Sequence, residues 1–455
     1  MTDSRDTDTD ADAEGDGGAE AEAGPHGPGH RGPADPRTAR PGPGARTAGT
    51  VAAPAVRPSA VGSVDPHPRP GLDGWAPLAG SAQAVVLEIL VHGPRPRTQL
   101  AERLGLSGPS LTRITKPLLE SGLLVERAAQ AASGSGRPAI PLDLDPDAHH
   151  FVGVKLTHDR LFVVVTDQRG EVLSERDERL PDPSPDAVVA QIARVVSRAR
   201  DRDDRIRALG VTVGGQVVDR AVVRHAPFLG WDDVPLAERV TAATGLPTWV
   251  ENDVRALTQA ELWFGEGRGL RSFALVTIGA GVGLGLVAAG EVLGGAHSSA
   301  GSIGHQRVVV PAVVPSDAPL PTCDLGHHDC AGAFVTVSAV EAAAARALGR
   351  PVGYDDLLDL AADGHEEARV VVDAAADVLG QLIAGVLNVL DPEAVLLSGE
   401  GVRLATVAAA AVDRAIASST HRSTPAPRLV VQRFRFDEWA RGAAAVAIQM
   451  HALGR

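Results

Sequence analysis

Residues 151–180 read FVGVKLTHDRLFVVVTDQRGEVLSERDERL: three apolar-rich runs separated by polar turns at Thr157–Arg160 and Gln168–Gly170. Such spacing predicts a meander of three consecutive strands. A helix, PDAVVAQIARVVSRARD, follows it. Next come a strand, IRALGVTVGGQVVD, and a loop, HAPFLGWDDVPLAERV, that opens another helix. LPTWVENDVRALTQAELWFG reads as a strand end and a helix, and SFALVTIGAGVGLGLVAAGEVLGG as two strands around a glycine-rich turn. Strand meanders alternating with helices, twice over, predict two α/β lobes facing a cleft.

The 455 residues are enough for two or three domains, each with its own core. Aromatic residues make up only 3%, so that core is built mostly of Val, Leu and Ala. No run is expected to reach the roughly 18 apolar residues of a membrane span, and no basic-then-apolar leader opens the chain. Two cysteines in so long a chain argue against a disulfide framework and for a reducing cytoplasm. The net charge of −14 would argue against nucleic acid, but much of the acid lies in MTDSRDTDTDADAEGDGGAEAEAG. That run, and the Pro-, Gly- and Arg-rich segment after it, lack the apolar content to offset the entropy of ordering, so residues 1–75 are expected to be a disordered tail.

Residues 76–146 carry a different pattern. SAQAVVLEILVHG places Val85, Val86, Ile89 and Leu90 on one helical face and stops at Gly93–Pro94. RTQLAERLGL gives a second short helix, closed by Gly105. In SGPSLTRITKPLLESGLLVER, Ser107 is an N-cap and Gly122 the C-terminal glycine of a third helix, with a kink expected at Pro117. Two β-segments around a Gly-rich tip complete the pattern of a winged helix-turn-helix. Its chemistry fits double-stranded operator DNA. Ser107 at the start of the third helix is counted among the DNA-binding residues, Ser110, Thr112 and Arg113 near that start can reach base edges, and Lys116 and Arg137, the latter at the wing tip, can neutralise phosphates.

CDLGHHDC, from Cys323 to Cys330, holds both cysteines and two histidines. Taken alone it is either a metal-binding turn or the remains of one.

The ordered set GVTVGGQVVD, APFLGWDDVPLAE, ENDVRALTQAE, GAGVGLGLVAAGEVLGG, AGSIGH and LDPEAVLLSGEG resembles the ROK family of repressors, open reading frames and sugar kinases. The resemblance spans about Ser81 to Arg455, and it implies that residues 147–455 form the two-lobed, actin-like sugar-kinase fold, a mixed α/β architecture. In the kinases of that family an Asp-x-Gly-Gly-Thr turn cradles ATP. The matching stretch here is GVKLTHDRL, with Lys155 at the acidic position and no glycine pair, so no ATP is expected. The glycine run from Gly279 to Gly285 reads either as a phosphate cradle or as a tight strand turn that the fold needs in any case, and without the first loop the second reading is favoured.

The resemblance also implies that Asn252 and Asp253 match the pair that holds the sugar, the Asp being the general base in a kinase. His305 is retained, whereas Ser302 and Gly332 stand where two sugar-binding Glu residues are expected. For the zinc motif of the family, His305, Cys323 and Cys330 align, and Leu325 replaces a cysteine. His327 or His328 can fill the gap in a structural zinc site. The expectation is a cytoplasmic DNA-binding regulator, a repressor of sugar-related genes, that senses a sugar or sugar derivative as a homodimer or homotetramer. The alternatives are an active sugar kinase with an extra N-terminal domain, and a repressor that needs no effector.

Overall fold

The computed structural model describes residues 78, 80–128, 139–317, 319–421, 423 and 425–454. The acidic and Pro/Gly-rich tail, the tip of the wing and Arg137 lie outside them.

The first described unit has the expected order of helices, Gly80–His92, Arg97–Arg103 and Gly108–Glu120. Val85, Val86, Ile89 and Leu90 are buried on the first, and Leu111, Thr115 and Leu118 on the third. The third helix runs on through Pro117 to Glu120. The strands Leu124–Glu126 and Pro141–Leu144 pair antiparallel as the base of the wing. A two-residue strand, Arg95–Pro96, joins them on the other edge. The core of this unit continues into the large domain, where Leu142 and Leu144 share one apolar cluster with Phe151, Trp263 and Ile448.

The large domain is built on two five-stranded sheets with the same pattern of pairing. In one, the order is Thr248–Asn252, Ile206–Val213, His150–Leu156, Arg160–Asp167 and Val172–Arg179. In the other, it is Glu291–Val292, Val282–Ala288, Phe273–Ile278, Ala394–Ser398 and Leu429–Val431. Each combines a three-stranded antiparallel meander with two further strands added in parallel. The central strand His150–Leu156 is buried along its whole length because helices cover both faces. The edge strand Val172–Arg179 is almost wholly exposed and carries SERDER, charges that discourage pairing with another chain.

The helix Phe436–Ala452, last in sequence, packs on the first sheet, and small residues let it come close. A Cβ added at Gly153 would lie 2.0 Å from the carbonyl oxygen of Ala440, and one at Gly210 would lie 1.8 Å from that of Ala443. Gly153 and Gly210 are register partners on adjacent strands, so a side chain at either would lift this helix off the sheet.

Two expectations are corrected. The segment 225–240 is not a plain loop. Val222–Ala226 and Trp231–Val234 pair with each other and, through the former, with Gln216–Val218 in a small sheet. The helix Glu366–Leu390 is also long and apolar enough to cross a membrane, contrary to the reading of the apolar runs. However, 67% of its apolar window is buried, so it is the central core helix of the second lobe.

Candidate functional site

The third helix is capped as its sequence implies: the hydroxyl of Ser107 accepts a hydrogen bond from the backbone N–H of Ser110 at 3.3 Å. Thr112, Arg113 and Lys116 are exposed, and Ser110 is half-buried. Lys116 makes a long ion pair with Glu120, at 3.8 Å. The first two turns of this helix therefore present the Arg113 cation and the Thr112 side chain to solvent.

The wing base is tied to the large domain by Asp143, whose carboxylate is almost fully buried. Arg127 on the wing side donates to it at 2.8 Å, and Arg169 pairs with it from the strand turn at 167–170 of the first lobe. Arg169 also donates to the carbonyl of Leu144 at 2.9 Å. The next residue, Gly170, accepts a hydrogen bond from Arg441 at 2.6 Å, so the last helix grips the same turn.

Between the lobes lies a cleft of about 720 Å³. As in other open α/β sheets, it sits beyond the carboxyl ends of parallel strands, here those that end near Lys155, Val213 and Asn252. Asp253 opens the helix Asp253–Phe264 at its floor. Its carboxylate is buried, accepts from the N–H of Val254 at 2.9 Å, and forms an ion pair with the ammonium of Lys155. That ammonium also stands 5.3 Å from the centre of the Trp439 ring. Asn252 is the N-cap of the same helix, accepting from Arg255 at 3.0 Å and donating to the carbonyl of Gly215 at 2.9 Å. The structure thus brings Asn252, Asp253 and His305 to one cleft, with Asn252 also serving as a cap.

The glycine-rich turn divides into two functions. A Cβ at Gly283 would stand 2.6 Å from Val254, and one at Gly285 would stand 1.7 Å from the hydroxyl of Thr258, so both are needed for the strand to lie against the helix Asp253–Phe264. Gly279 and Gly281 sit at the tip and face the cleft. There the carboxylate of Glu400 accepts a hydrogen bond from the N–H of Ala280 at 3.1 Å. A carboxylate therefore takes up a backbone donor at the tip of this turn. Glu400 and Trp439 were not singled out from sequence, although an acid between two glycines in LSGEG was a usable signal.

At the edge of the cleft, ligand atoms of His305, Cys323, His327 and Cys330 all lie within 4.8 Å of one another. A tight turn makes this possible: Gly326 takes φ of +82°, and the N–H of Cys323 donates to the carbonyl of His327 at 2.9 Å. His328 lies outside this group of four, and its Nδ1 lies 3.0 Å from the hydroxyl of Thr322. Burial is the largest influence on the Cys330 thiol and pushes its pKa up. Two sulfurs and two imidazoles fit a metal ion. A tetrahedral zinc with bonds of about 2.0–2.3 Å needs donor separations of roughly 3.3–3.8 Å, within a small side-chain adjustment of these.

These features define a two-lobed domain of the sugar-kinase type joined to a winged helix. The ROK family model matches residues 151–450, and the chain belongs to the ROK family. It is 27% identical over 334 residues to the DNA-binding transcriptional repressor Mlc of Escherichia coli K12, covering 70% of this chain and 80% of that one. Among solved structures it is similar to a ROK family transcriptional regulator described as a homolog of the E. coli MLC protein. There the TM-score is 0.69 and the identity 26%, over 80% of this chain and 95% of the other. A ROK hexokinase from Thermus thermophilus superposes with a TM-score of 0.56 and 27% identity, over 66% of this chain and 97% of its own.

Proposed function

We propose that this chain is a DNA-binding transcriptional regulator, a repressor of sugar-related genes, whose kinase-like cleft binds a sugar or sugar derivative without phosphorylating it. The observation that carries this reading is the ion pair of Lys155 with Asp253, in a cleft attached to a winged helix. A general base must be free to take the proton of a substrate hydroxyl. Here one carboxylate oxygen accepts from Lys155 and the other from a backbone N–H. Glu400 at the glycine turn adds a negative charge where phosphate would sit. Both features argue against the reading as a sugar kinase.

The DNA-facing residues are Ser107, Ser110, Thr112, Arg113, Lys116 and Arg137, and the effector-facing residues are Asn252, Asp253 and His305. A ligand regulates by binding one DNA-binding state better than the other. The Arg169–Asp143 link joins the lobe that holds the ligand to the base of the wing. Zinc is the metal that the Cys₂His₂ set suits, and when bound it supplies a structural cross-link. His305, Cys323, His327 and Cys330 would then hold the loop that edges the cleft. The protein works in the cytoplasm as a homodimer or homotetramer, since helix-turn-helix proteins read paired half-sites by their own symmetry.

The test has two arms on the purified full-length protein. Selection of bound fragments from the genomic DNA of the source organism should enrich a short, symmetric sequence. ATP consumption over a panel of monosaccharides should stay at the level without sugar. Sugar-dependent turnover would establish the kinase reading in its place.

A further inference from the structure

The turn 226–230 displays one aromatic ring into the cleft, and everything around that ring is fixed. Ala226 and Trp231 are buried, and Leu229 is only 9% exposed. The N–H of Leu229 donates to the carbonyl of Ala226 at 3.1 Å, and that of Gly230 to the carbonyl of Pro227 at 3.2 Å. The indole N–H of Trp231 donates to the carbonyl of Pro183 at 2.7 Å, while His225 and Asp232 pair across the two strands at 2.8 Å. Phe228 is the one aromatic side chain among the exposed residues of this turn, 49% exposed, beside Pro227 and Gly230.

Its neighbours leave the ring open to a ligand. A Cβ at Gly214, in the first lobe, would lie 3.5 Å from the ring and 3.4 Å from the carboxylate of Asp253. A Cβ at Gly281, in the second lobe, would lie 3.8 Å from the ring. Both positions are glycines, so neither places a side chain against the ring. The aromatic ring thus shares the cleft with the buried carboxylate of Asp253 and with Asn252 and Gln216.

We propose that Phe228 is a specificity-determining residue of the cleft, a platform on which a pyranose stacks the apolar C–H face of its ring while Asp253 and its polar neighbours take the hydroxyls. This rests on the reading of the cleft as a sugar site and goes further by naming the ligand class: a closed six-membered sugar with an uninterrupted C–H face. The chemistry follows from the ring. Its face carries the negative part of a quadrupole and attracts the weakly positive C–H groups, and stacking also removes apolar surface from water. A phenyl ring offers no hydrogen-bonding group, so it selects for a flat C–H face and against acyclic polyols. Ser302 and Gly332 line the cleft where the resemblance to the kinases of the family implies two sugar-binding glutamates, so apolar contact has a larger share in the affinity.

Saturation-transfer NMR on the full-length protein tests this, with glucose, galactose, mannose, N-acetylglucosamine and the acyclic polyol sorbitol as probes. At least one pyranose should bind, with the strongest transfer to C–H protons of one ring face, and sorbitol should not. Phe228→Ala should weaken that binding about tenfold or more and erase the one-face pattern, whereas Phe228→Trp should keep both, since either aromatic ring offers the face. Phe228 is exposed, and a melting curve of the Ala variant matching that of the parent separates loss of stacking from loss of fold. If a pyranose binds both proteins equally with the same pattern, the platform is wrong and the sugar reading stands. If no pyranose binds the parent protein, both are overturned.

Discussion

Lys155 and Asp253, 98 residues apart in sequence, form a buried ion pair on the floor of the cleft. The lysine ends a strand of the first lobe, and the aspartate opens a helix that packs against both sheets. Two charges held out of water are costly unless each meets the other, so either one alone is a liability. Lys155→Met should therefore destabilise the fold by about 3–5 kcal/mol in urea unfolding, because it leaves the carboxylate of Asp253 uncompensated. The pair Lys155→Met with Asp253→Leu should recover most of that loss. Equal stability of parent and single variant would show that water reaches the carboxylate.

The recognition helix depends on its cap and on its leading cation. Ser107→Ala should lower stability by about 1 kcal/mol, the usual cost of an N-cap. Arg113→Ala should weaken binding to the selected sequence by about 1–3 kcal/mol while leaving binding to random DNA much less affected. Fluorescence anisotropy on both DNAs separates these effects. A uniform loss on both would make Arg113 a phosphate contact.

The link between wing and lobe converges on Asp143. Arg127→Ala or Arg169→Ala alone leaves the buried carboxylate one partner. The double variant leaves none, and should cost about 3–5 kcal/mol, more than the sum of the single changes. Chemical unfolding of the four proteins reads this coupling directly.

Metal content distinguishes adjacent histidines. Protein purified without chelator should carry about one zinc per chain, and Cys330→Ser or His327→Ala should lose it. His328→Ala should keep it, because that ring is not among the four side chains whose ligand atoms converge. Retention of metal by His327→Ala together with its loss from His328→Ala would reverse the assignment.

Acid should weaken the fold through His149 and His451, whose rings lie 6.0 Å apart. Burial is the main cause that lowers both pKa values to about 4. In the unfolded chain each imidazole takes up a proton near about pH 6.5. The unfolded state therefore binds more protons between these values, so stability is complete above pH 6.5 and falls as the pH drops toward 4. His451→Gln should flatten that slope in urea midpoints measured at pH 7 and pH 5.

Local pattern carried much of this structure. Val85, Val86, Ile89 and Leu90 marked a helix face, and the turns at 157–160 and 168–170 marked a meander, because periodicity and turn chemistry act over a few residues. The part of the small sheet from residue 225 on reads as loop: Pro227, Gly230, Asp232 and Asp233 are turn formers, and the strands of this sheet have only three to five residues. Contacts between distant segments were out of reach. Neither the partner of Lys155 nor the closeness of Gly153 to Ala440 leaves a trace in local pattern. The choice between His327 and His328 was left open because both fit the spacing, and only the turn at Gly326 separates them.

Release of DNA by a sugar tests the whole reading most directly. The full-length protein is bound to a labelled fragment recovered from the genomic selection, and its affinity is measured alone and with each monosaccharide of the panel. A sugar that changes the affinity at least about fivefold, the lower end of ordinary coupling between sites, with no ATP consumed, is the predicted result. Specific DNA binding that no sugar alters would contradict the cleft as a sensor and leave a repressor that needs no effector.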